Sequence, residues 1–206
     1  MSLRYLALGD SYTIGEKVAP EVRWPVLLAD ELRARGVDVA PPTIIAQTGW
    51  TTGELGAALD EADVEDRFDL VSLLIGVNDQ YDGCSAADFR PAFRALLRRA
   101  VGFASGEARR VLVLSIPDWG VTPHAEQDDR SAEQIGAEID VYNAVVREET
   151  ERVGAHFVDV TPISRTAFGD PSLTAEDGLH PSGAMYAAWT ERALTAALSA
   201  SSRKAM

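Results

Sequence analysis

Four short polar stretches hold the residue types that acyl transfer requires. In chain order they are Gly9-Asp10-Ser11, Thr48-Gly49-Trp50, Gly76-Val77-Asn78-Asp79 and Asp177-Gly178-Leu179-His180. Acyl transfer needs a nucleophile, a base that takes its proton, a group that orients the base, and donors for the developing oxyanion. Each of these roles has a candidate among the four stretches.

Ser11 and His180 are the candidates for nucleophile and base. A serine hydroxyl is a weak nucleophile until a base removes its proton, and an imidazole can later return that proton to the leaving alcohol. Asp177 lies three residues before His180, so one local turn can bring its carboxylate to the other ring nitrogen. Pro181 disfavours a helical backbone at His180 and keeps it on a loop.

The oxyanion donors are expected from three different loops. The Ser11 backbone N–H is one donor, Gly49 permits close approach of a second backbone N–H, and Asn78 offers a side-chain amide. Taken singly, Gly49 and Asn78 are also ordinary turn residues.

Apolar runs and helical periodicity predict five strands alternating with helices. The predicted strands are residues 3–8, 43–46, 68–75, 110–116 and 155–160. The predicted helices are residues 24–36, 52–62, 85–101, 131–153 and 182–198, with one short helix near 163–167.

This alternation indicates an α/β fold with a parallel sheet, and right-handed crossovers place helices on both of its faces. We expect one domain over residues 1–198 and a frayed tail over 199–206. The carboxyl ends of parallel strands share one edge, so the first three polar stretches are expected to converge there.

The four stretches together resemble the SGNH (GDSL-type) hydrolase superfamily. Its blocks read GDS after the first strand, a glycine after the second, GxND after the third and DxxH near the C-terminus. All four occur here in order and span positions 9 to 180. One departure is Tyr12, which stands where the GDSL name has leucine.

The resemblance implies a flavodoxin-like, three-layer α/β/α fold with a doubly wound, five-stranded parallel sheet. It also implies a catalytic triad of Ser11, Asp177 and His180, and an oxyanion hole formed by Ser11, Gly49 and Asn78. The implied activity is that of a serine esterase or lipase, with a small-molecule ester as substrate.

Five loop side chains are candidates for substrate contact because they fall at the predicted catalytic edge: Tyr12, Trp50, Gln80, Tyr81 and Trp119. The aromatic ones could line an acyl or sugar pocket, or pack on their own helices instead. No long insertion could form a lid, and no apolar surface helix indicates lipid binding. Short-chain and acetyl esters are therefore favoured.

Other reactive residues receive structural interpretations. Asp10 is expected to brace the serine loop, His156 to be structural, and Cys84 to fill apolar space. His124 lies in a loop that could border the cleft, and no role is assigned to it. We expect neither a metal nor another cofactor: no histidine–cysteine cluster accompanies Asp177 and His180, and the first turn lacks nucleotide-binding glycine spacing.

Composition restricts the partners. Nineteen basic and thirty-two acidic residues give a net charge of −13, which argues against nucleic acid or anionic membrane. The single cysteine fits a reducing compartment. We find neither a signal peptide nor a membrane-spanning run, so we expect a cytoplasmic location without a stable membrane anchor, the alternative being a chain from which a leader has been trimmed. The oligomeric state stays open.

Two alternatives to ester hydrolysis use the same fold. An acyltransferase would pass the acyl group to an alcohol from the same site. A non-catalytic, flavodoxin-like binding module would keep the fold alone, but the presence of all three triad residues argues against it.

Overall fold

A computed structural model describes residues 2–62, 64 and 67–201 of the 206-residue chain. Within this part of the chain, five parallel strands form one sheet in the order β2-β1-β3-β4-β5. The strands are β1 (Tyr5–Gly9), β2 (Thr43–Ala46), β3 (Leu70–Leu74), β4 (Val111–Leu114) and β5 (His156–Val158). All five were predicted at these places, most of them with longer bounds.

Burial follows the position of each strand in the sheet. Every residue of β1, β3 and β4 is buried, whereas β2 and β5 at the two edges are partly accessible. A central parallel strand has helices over both faces, which explains its predominantly apolar sequence.

Eight α-helices are present in the described residues. They are α1 (Ser11–Ile14), α2 (Trp24–Ala34), α3 (Thr52–Glu61), α4 (Val77–Tyr81), α5 (Ala86–Phe103), α6 (Ala132–Val153), α7 (Thr161–Ser164) and α8 (Gly183–Ser201). Short 3-10 turns occupy Pro20–Val22, Ala108–Arg110, Trp119–Val121, Pro123–Gln127, Arg165–Ala167 and Pro171–Leu173.

Two helices were expected as loops, and one helix is longer than expected. α1 and α4 begin directly after β1 and β3, inside the polar stretches that carry Ser11 and Asn78. α8 continues to Ser201, so the first three residues of the expected tail are helical. Residues 202–206 lie outside the described part of the chain.

The helices cover both faces of the sheet. α2 and α8 pack against each other on one face, and α5 packs against α3 and α6 on the other. The chain passes from β1 outward to β2 and returns across β1 to β3, so the winding direction changes between β1 and β3. Such a switch point opens a crevice at the carboxyl ends of the strands, where ligands bind in this class of sheet.

A buried carboxylate joins α5 to α6. Glu149 is 2% exposed and accepts hydrogen bonds from Arg94 at 2.6 and 2.9 Å, from Arg152 at 2.6 Å and from Arg90 at 3.2 Å. The Arg94 hydrogen bonds, followed by those of Arg152 and Arg90, outweigh burial and lower the pKa of Glu149 to about 2.

Glu149→Gln is expected to lower the free energy of unfolding by about 2 kcal/mol at pH 7, because three guanidinium groups lose an ionised acceptor. A depressed pKa contributes stability above the unfolded pKa and loses it as the pH falls through the folded value. The difference from wild type should therefore disappear between about pH 4 and pH 2, as measured by urea unfolding.

Glu148→Gln is the matched control for this variant. Glu148 pairs with the same Arg90 at 2.8 Å, but its side chain is 63% exposed. Exposed pairs contribute little, so its effect should stay below about 0.5 kcal/mol. Equal losses in the two variants would contradict the importance of burial at Glu149.

Candidate active site

A cleft of about 220 Å³ opens at the switch point. It brings together seven residues of the four predicted polar stretches: Ser11, Thr48, Gly49, Val77, Asn78, Leu179 and His180. The other lining residues are Tyr12, Tyr81, Trp119 and His124. The predicted convergence of the loops at one sheet edge is therefore what the structure shows.

The chain turns from β1 into α1 at Ser11. Gly9 leaves no room for a side chain, since a Cβ there would lie 2.4 Å from the Leu74 carbonyl oxygen. Asp10 caps α1, with its Oδ1 accepting from the Tyr12 N–H at 3.0 Å. The first N–H groups of a helix have no acceptor within the helix, so the Ser11 N–H can serve an outside oxyanion.

Asp177 and His180 form a hydrogen-bonded pair within one turn of loop. Asp177 Oδ2 lies 2.6 Å from His180 Nδ1, and Asp177 Oδ1 accepts from the N–H groups of Leu179 and His180 at 3.0 Å each. Burial raises the pKa of Asp177, but these hydrogen bonds, led by that of the His180 ring, hold it below its ordinary value. An ionised carboxylate in this place fixes the tautomer in which Nε2 is free to accept a proton.

The His180 ring is also held from its other side. Tyr12 packs edge-on against it with ring centroids 5.9 Å apart, and Trp189 in turn packs edge-on against Tyr12 at 6.0 Å.

The hydrogen bonds of the described residues include none between Ser11 and His180, although both line the cleft. Contacts of this kind are often long without substrate and shorten in the reacting complex.

The two other predicted donors come from neighbouring loops. Gly49 has a φ of +85°, a left-handed conformation that favours glycine. Asn78 lies in the first turn of α4 and donates from Nδ2 to the Trp50 carbonyl oxygen at 2.8 Å. A carboxamide carries two N–H donors, so this bond orients the group and leaves the second donor for a ligand.

Three of the five predicted substrate residues line the cleft, namely Tyr12, Tyr81 and Trp119. Trp119 is buried and its ring lies 5.4 Å from that of Tyr81, which is half exposed. These two rings give the cleft an apolar wall.

Trp50 and Gln80 are not among the cleft-lining residues of the described chain. Gln80 Oε1 accepts from Trp119 Nε1 at 2.8 Å, and its Nε2 donates to Glu138 at 2.7 Å. Because both ends of its amide are used in this way, Gln80 supports the Trp119 ring from behind. Trp50 is partly buried against the core and contributes its carbonyl to Asn78.

Sequence reasoning assigned no role to His124, which the structure places in the cleft wall. Its backbone N–H donates to the Gly178 carbonyl at 3.0 Å, and its ring lies 6.4 Å from that of Trp119. The only signal for it was its position in a loop after β4. Thr48, Val77 and Leu179 also line the cleft, and each adjoins a residue singled out in the sequence.

Asp10 is fully buried beside the nucleophile, as expected for a bracing residue. Its Oδ1 holds the Tyr12 N–H, while its Oδ2 has no hydrogen-bond partner within the described chain. Burial raises its pKa to about 8, with a further contribution from Asp79, so the carboxyl is mostly protonated at neutral pH. Asp10 is thus unsuited to act as the ionised acid of a triad.

Asp10→Asn is expected to change the pH dependence of stability. A carboxyl with a raised folded pKa takes up a proton on folding, so the free energy of unfolding falls as the pH rises from about 4 to about 8. The variant lacks this loss and keeps the acceptor for Tyr12. Between pH 5 and pH 9, the unfolding free energy of the variant should rise relative to that of wild type by several kcal/mol. The rise is on the order of 1.4 kcal/mol for each unit by which folding raises the pKa.

Urea unfolding across this range measures that difference. Asp82→Asn, at an exposed position at the end of α4, is the control and should follow wild type. Parallel curves for Asp10→Asn and wild type would show that the Asp10 carboxyl does not titrate in this window.

No group of three or more histidine, cysteine or acidic side chains suited to a metal ion occurs in residues 2–62, 64 and 67–201. His156 begins β5 and pairs in register with Leu112 of β4. In the same described residues, no helix has the length and apolar character needed to cross a membrane.

Three structures from different bacteria share the fold. A lipase/acylhydrolase from Enterococcus faecalis aligns with a TM-score of 0.73 at 20% identity and 94% coverage of each chain. Axe2, an acetylxylan esterase from Geobacillus stearothermophilus, aligns with a TM-score of 0.68 at 20% identity, covering 98% of this chain and 95% of its own. The esterase EstA from Pseudoalteromonas sp. aligns with a TM-score of 0.67 at 17% identity, covering 95% and 96%.

A comparison with curated protein sequences finds no significant match. The family model for GDSL-like lipases and acylhydrolases, however, matches residues 7–188, which contain all four polar stretches. This match confirms the resemblance to SGNH hydrolases and the α/β/α fold that it implied. The chain therefore belongs to the GDSL-like lipase/acylhydrolase family and is a GDSL-type carboxylic ester hydrolase.

Proposed function

We propose that this enzyme hydrolyses small carboxylic esters, preferentially short-chain and acetyl esters, through an acyl-enzyme formed on Ser11. The observation that carries this proposal is the 2.6 Å contact between Asp177 and His180 at the edge of a cleft that also contains Ser11. A nucleophile, a base and an orienting acid thus occupy one site.

In the proposed acylation, His180 Nε2 takes the proton of the Ser11 hydroxyl as Oγ attacks the ester carbonyl. The tetrahedral intermediate collapses when His180 returns that proton to the leaving alkoxide, which departs as the alcohol. A water molecule then repeats the sequence on the acyl-enzyme and releases the carboxylic acid. Asp177 stays ionised throughout and stabilises the imidazolium that forms twice in each turnover.

The developing oxyanion is stabilised by the backbone N–H groups of Ser11 and Gly49 and by the Asn78 amide. Donors that are already in place when charge develops are worth about 3–4 kcal/mol each in the barrier. The hydrogen bond from Asn78 to the Trp50 carbonyl supports this role, because it orients the amide before substrate arrives.

The size of the cleft supports a small substrate. Its volume of about 220 Å³ is below the range of roughly 300–1,000 Å³ typical of sites for drug-sized ligands. Tyr81 and Trp119 supply an apolar wall for a short acyl chain, and Tyr12 lines the cleft beside His180. We propose that Trp50 and Gln80 affect the substrate only indirectly, through Asn78 and Trp119.

We propose a cytoplasmic location, which the single cysteine supports because such a chain has no need of an oxidising compartment. The net charge of −13 supports a small-molecule substrate over nucleic acid or anionic lipid.

An ester panel tests the function. Purified protein is assayed with p-nitrophenyl esters of increasing acyl length and with acetylated sugars, because one similar structure is that of an acetylxylan esterase. We expect the highest kcat/KM for acetyl or butyryl esters, and labelling of Ser11 by a fluorophosphonate. Absence of both turnover and labelling would overturn the proposal in favour of a binding module.

The same assay separates hydrolysis from acyl transfer. When an alcohol acceptor is added, a hydrolase still releases mainly the free acid, whereas an acyltransferase forms mainly the new ester. Dominant ester formation at millimolar acceptor would reassign the reaction and leave Ser11, His180 and Asp177 in the same roles.

A further inference from the structure

Asp79 follows Asn78 in α4, yet it is not among the residues that line the cleft in the described chain. Its side chain is buried and accepts two hydrogen bonds from Thr52, the first residue of α3. The Thr52 N–H donates to Oδ2 at 2.9 Å, and the Thr52 hydroxyl donates to Oδ1 at 2.6 Å. Both carboxylate oxygens are therefore bound to the first residue of α3.

These two hydrogen bonds are part of a set of three that join the same two segments. The Asn78 amide donates to the Trp50 carbonyl at 2.8 Å, so residues 78–79 hold residues 50–52 by three hydrogen bonds. Gly49 immediately precedes the held segment. Two of the three proposed oxyanion donors, the Gly49 N–H and the Asn78 amide, thus sit on segments that are fastened to each other.

An acidic side chain suits this position for two reasons. The first N–H groups of α3 have no acceptor within the helix, and negative charge is favourable near a helix N-terminus. A carboxylate can also accept from N–H and O–H at once through two oxygens, whereas an isosteric carboxamide has one acceptor and presents a donor to the other partner.

We propose that Asp79 is a positioning residue that sets the separation of the Gly49 and Asn78 donors, and so acts on kcat without touching substrate. This inference rests on the proposed function, in which those two groups stabilise the oxyanion. Donors of this kind are effective only when held at hydrogen-bond distance from the oxyanion, so a small displacement of one segment weakens the transition state more than the bound ester.

A matched control pair, Thr51 and Glu54, begins at the residue directly before Thr52. Glu54 accepts from the N–H and the hydroxyl of Thr51, both at 2.8 Å, and caps the same helix. This pair uses the same donor and acceptor groups as Asp79 and Thr52, but both bonds go to one oxygen, Oε2, and the pair is local to α3 and exposed. Glu54→Gln therefore removes a charge at the start of α3 without releasing the helix from α4.

The test compares kcat and KM of Asp79→Asn, Thr52→Val and Glu54→Gln on p-nitrophenyl acetate, with active sites counted by fluorophosphonate titration. We expect Asp79→Asn and Thr52→Val to lower kcat about 10- to 100-fold with KM within about twofold, since loss of a whole donor costs about 10²- to 10³-fold. Thr52→Ser keeps both donors and should restore the activity that Thr52→Val loses. Glu54→Gln should stay within about twofold of wild type.

A double-mutant cycle separates positioning from general destabilisation. If Asp79 acts through the oxyanion donors, Asp79→Asn should cost much less in an Asn78→Ala background than in wild type. Additive losses, or an unchanged kcat in Asp79→Asn, would overturn the inference even if wild type is an active esterase. Equal losses in Asp79→Asn and Glu54→Gln would also overturn it.

Amide hydrogen exchange tests the attachment of residues 50–52 to residues 78–79 independently of turnover. Exchange of the Thr52 N–H, which donates to Asp79, should accelerate in Asp79→Asn and remain as in wild type in Glu54→Gln. Unchanged exchange at Thr52 in Asp79→Asn would refute this attachment. Absence of ester turnover and of Ser11 labelling in wild type would instead refute the proposed function, so the two failures are distinguishable.

Discussion

Replacing Ser11 by alanine is expected to lower kcat for p-nitrophenyl acetate by at least about 10⁴-fold and to abolish fluorophosphonate labelling. The hydroxyl is the only group in the proposed mechanism that forms the acyl-enzyme. Without it, the remaining route is direct attack of water, assisted only by binding and by the oxyanion donors. Steady-state kinetics and mass spectrometry of the labelled protein measure both effects.

Ser85→Ala is the matched control for this variant. Ser85 caps α5 by accepting from the Asp88 N–H at 3.1 Å, and it is exposed. Its loss should cost about 1 kcal/mol of stability and leave kcat unchanged. Substantial ester turnover by Ser11→Ala, with the same substrate preference as wild type, would remove Ser11 from the mechanism.

Asp177→Asn is expected to lower kcat by about 10³- to 10⁴-fold with little change in KM. The carboxylate now accepts two backbone N–H groups through Oδ1 and faces His180 Nδ1 through Oδ2. In the variant the amide oxygen can keep the backbone bonds, which turns the NH₂ group toward the ring. The imidazole then accepts at Nδ1 and carries its proton on Nε2, where it cannot take the proton of Ser11.

Asp170→Asn is a useful comparison for that variant. Asp170 also caps a short turn, with its Oδ1 accepting from the Ser172 N–H and hydroxyl at 3.0 and 2.6 Å, but it does not line the cleft in the described chain. Its kcat should match that of wild type. If the two asparagine variants behave alike, the carboxylate of Asp177 caps a loop and does not select a tautomer.

The pH profile of the wild-type enzyme should agree with this role. The pKa of Asp177 is held below its ordinary value of 3.8 by the His180 and backbone hydrogen bonds. A depressed pKa keeps its contribution at higher pH and loses it only as the pH falls through the folded value. Asp177 therefore stays ionised across the neutral range, and an acid limb near neutral pH belongs to another group.

The sheet and the convergence of the polar loops were predictable because they follow from local patterns. β1 and β3 are predominantly apolar runs followed by glycine and polar residues, and the order of elements fixes the parallel sheet. The pairing of Asp177 with His180 was predictable for the same reason, because the two residues are three positions apart and one turn of loop can join them.

The short helices α1 and α4 could not be predicted from hydrophobic periodicity. Each has four or five residues, too few for an amphipathic pattern, and isolated helices of that length are unstable. They form because tertiary contacts supply what the local sequence lacks. Asp10 caps α1, and the three bonds from residues 78–79 to residues 50–52 hold α4.

The orientation of the loop side chains was likewise not encoded locally. Trp119 faces the cleft because Gln80, 39 residues earlier, accepts from its indole N–H. His124 reaches the cleft because its backbone N–H donates to the Gly178 carbonyl on the loop that carries His180. A sequence identifies such residues as loop residues, but the partner that decides their direction is far away along the chain.

The position of Trp119 and His124 has a consequence for the evolution of this enzyme. They contribute two walls of the cleft from a segment that supplies none of the proposed triad or oxyanion groups. The backbone of that segment is held by Asp118, which accepts from the Gly120 N–H, and by Thr122, which donates to the Trp119 carbonyl. Side chains at 119 and 124 can therefore diversify under selection for new esters while the reaction machinery stays constant.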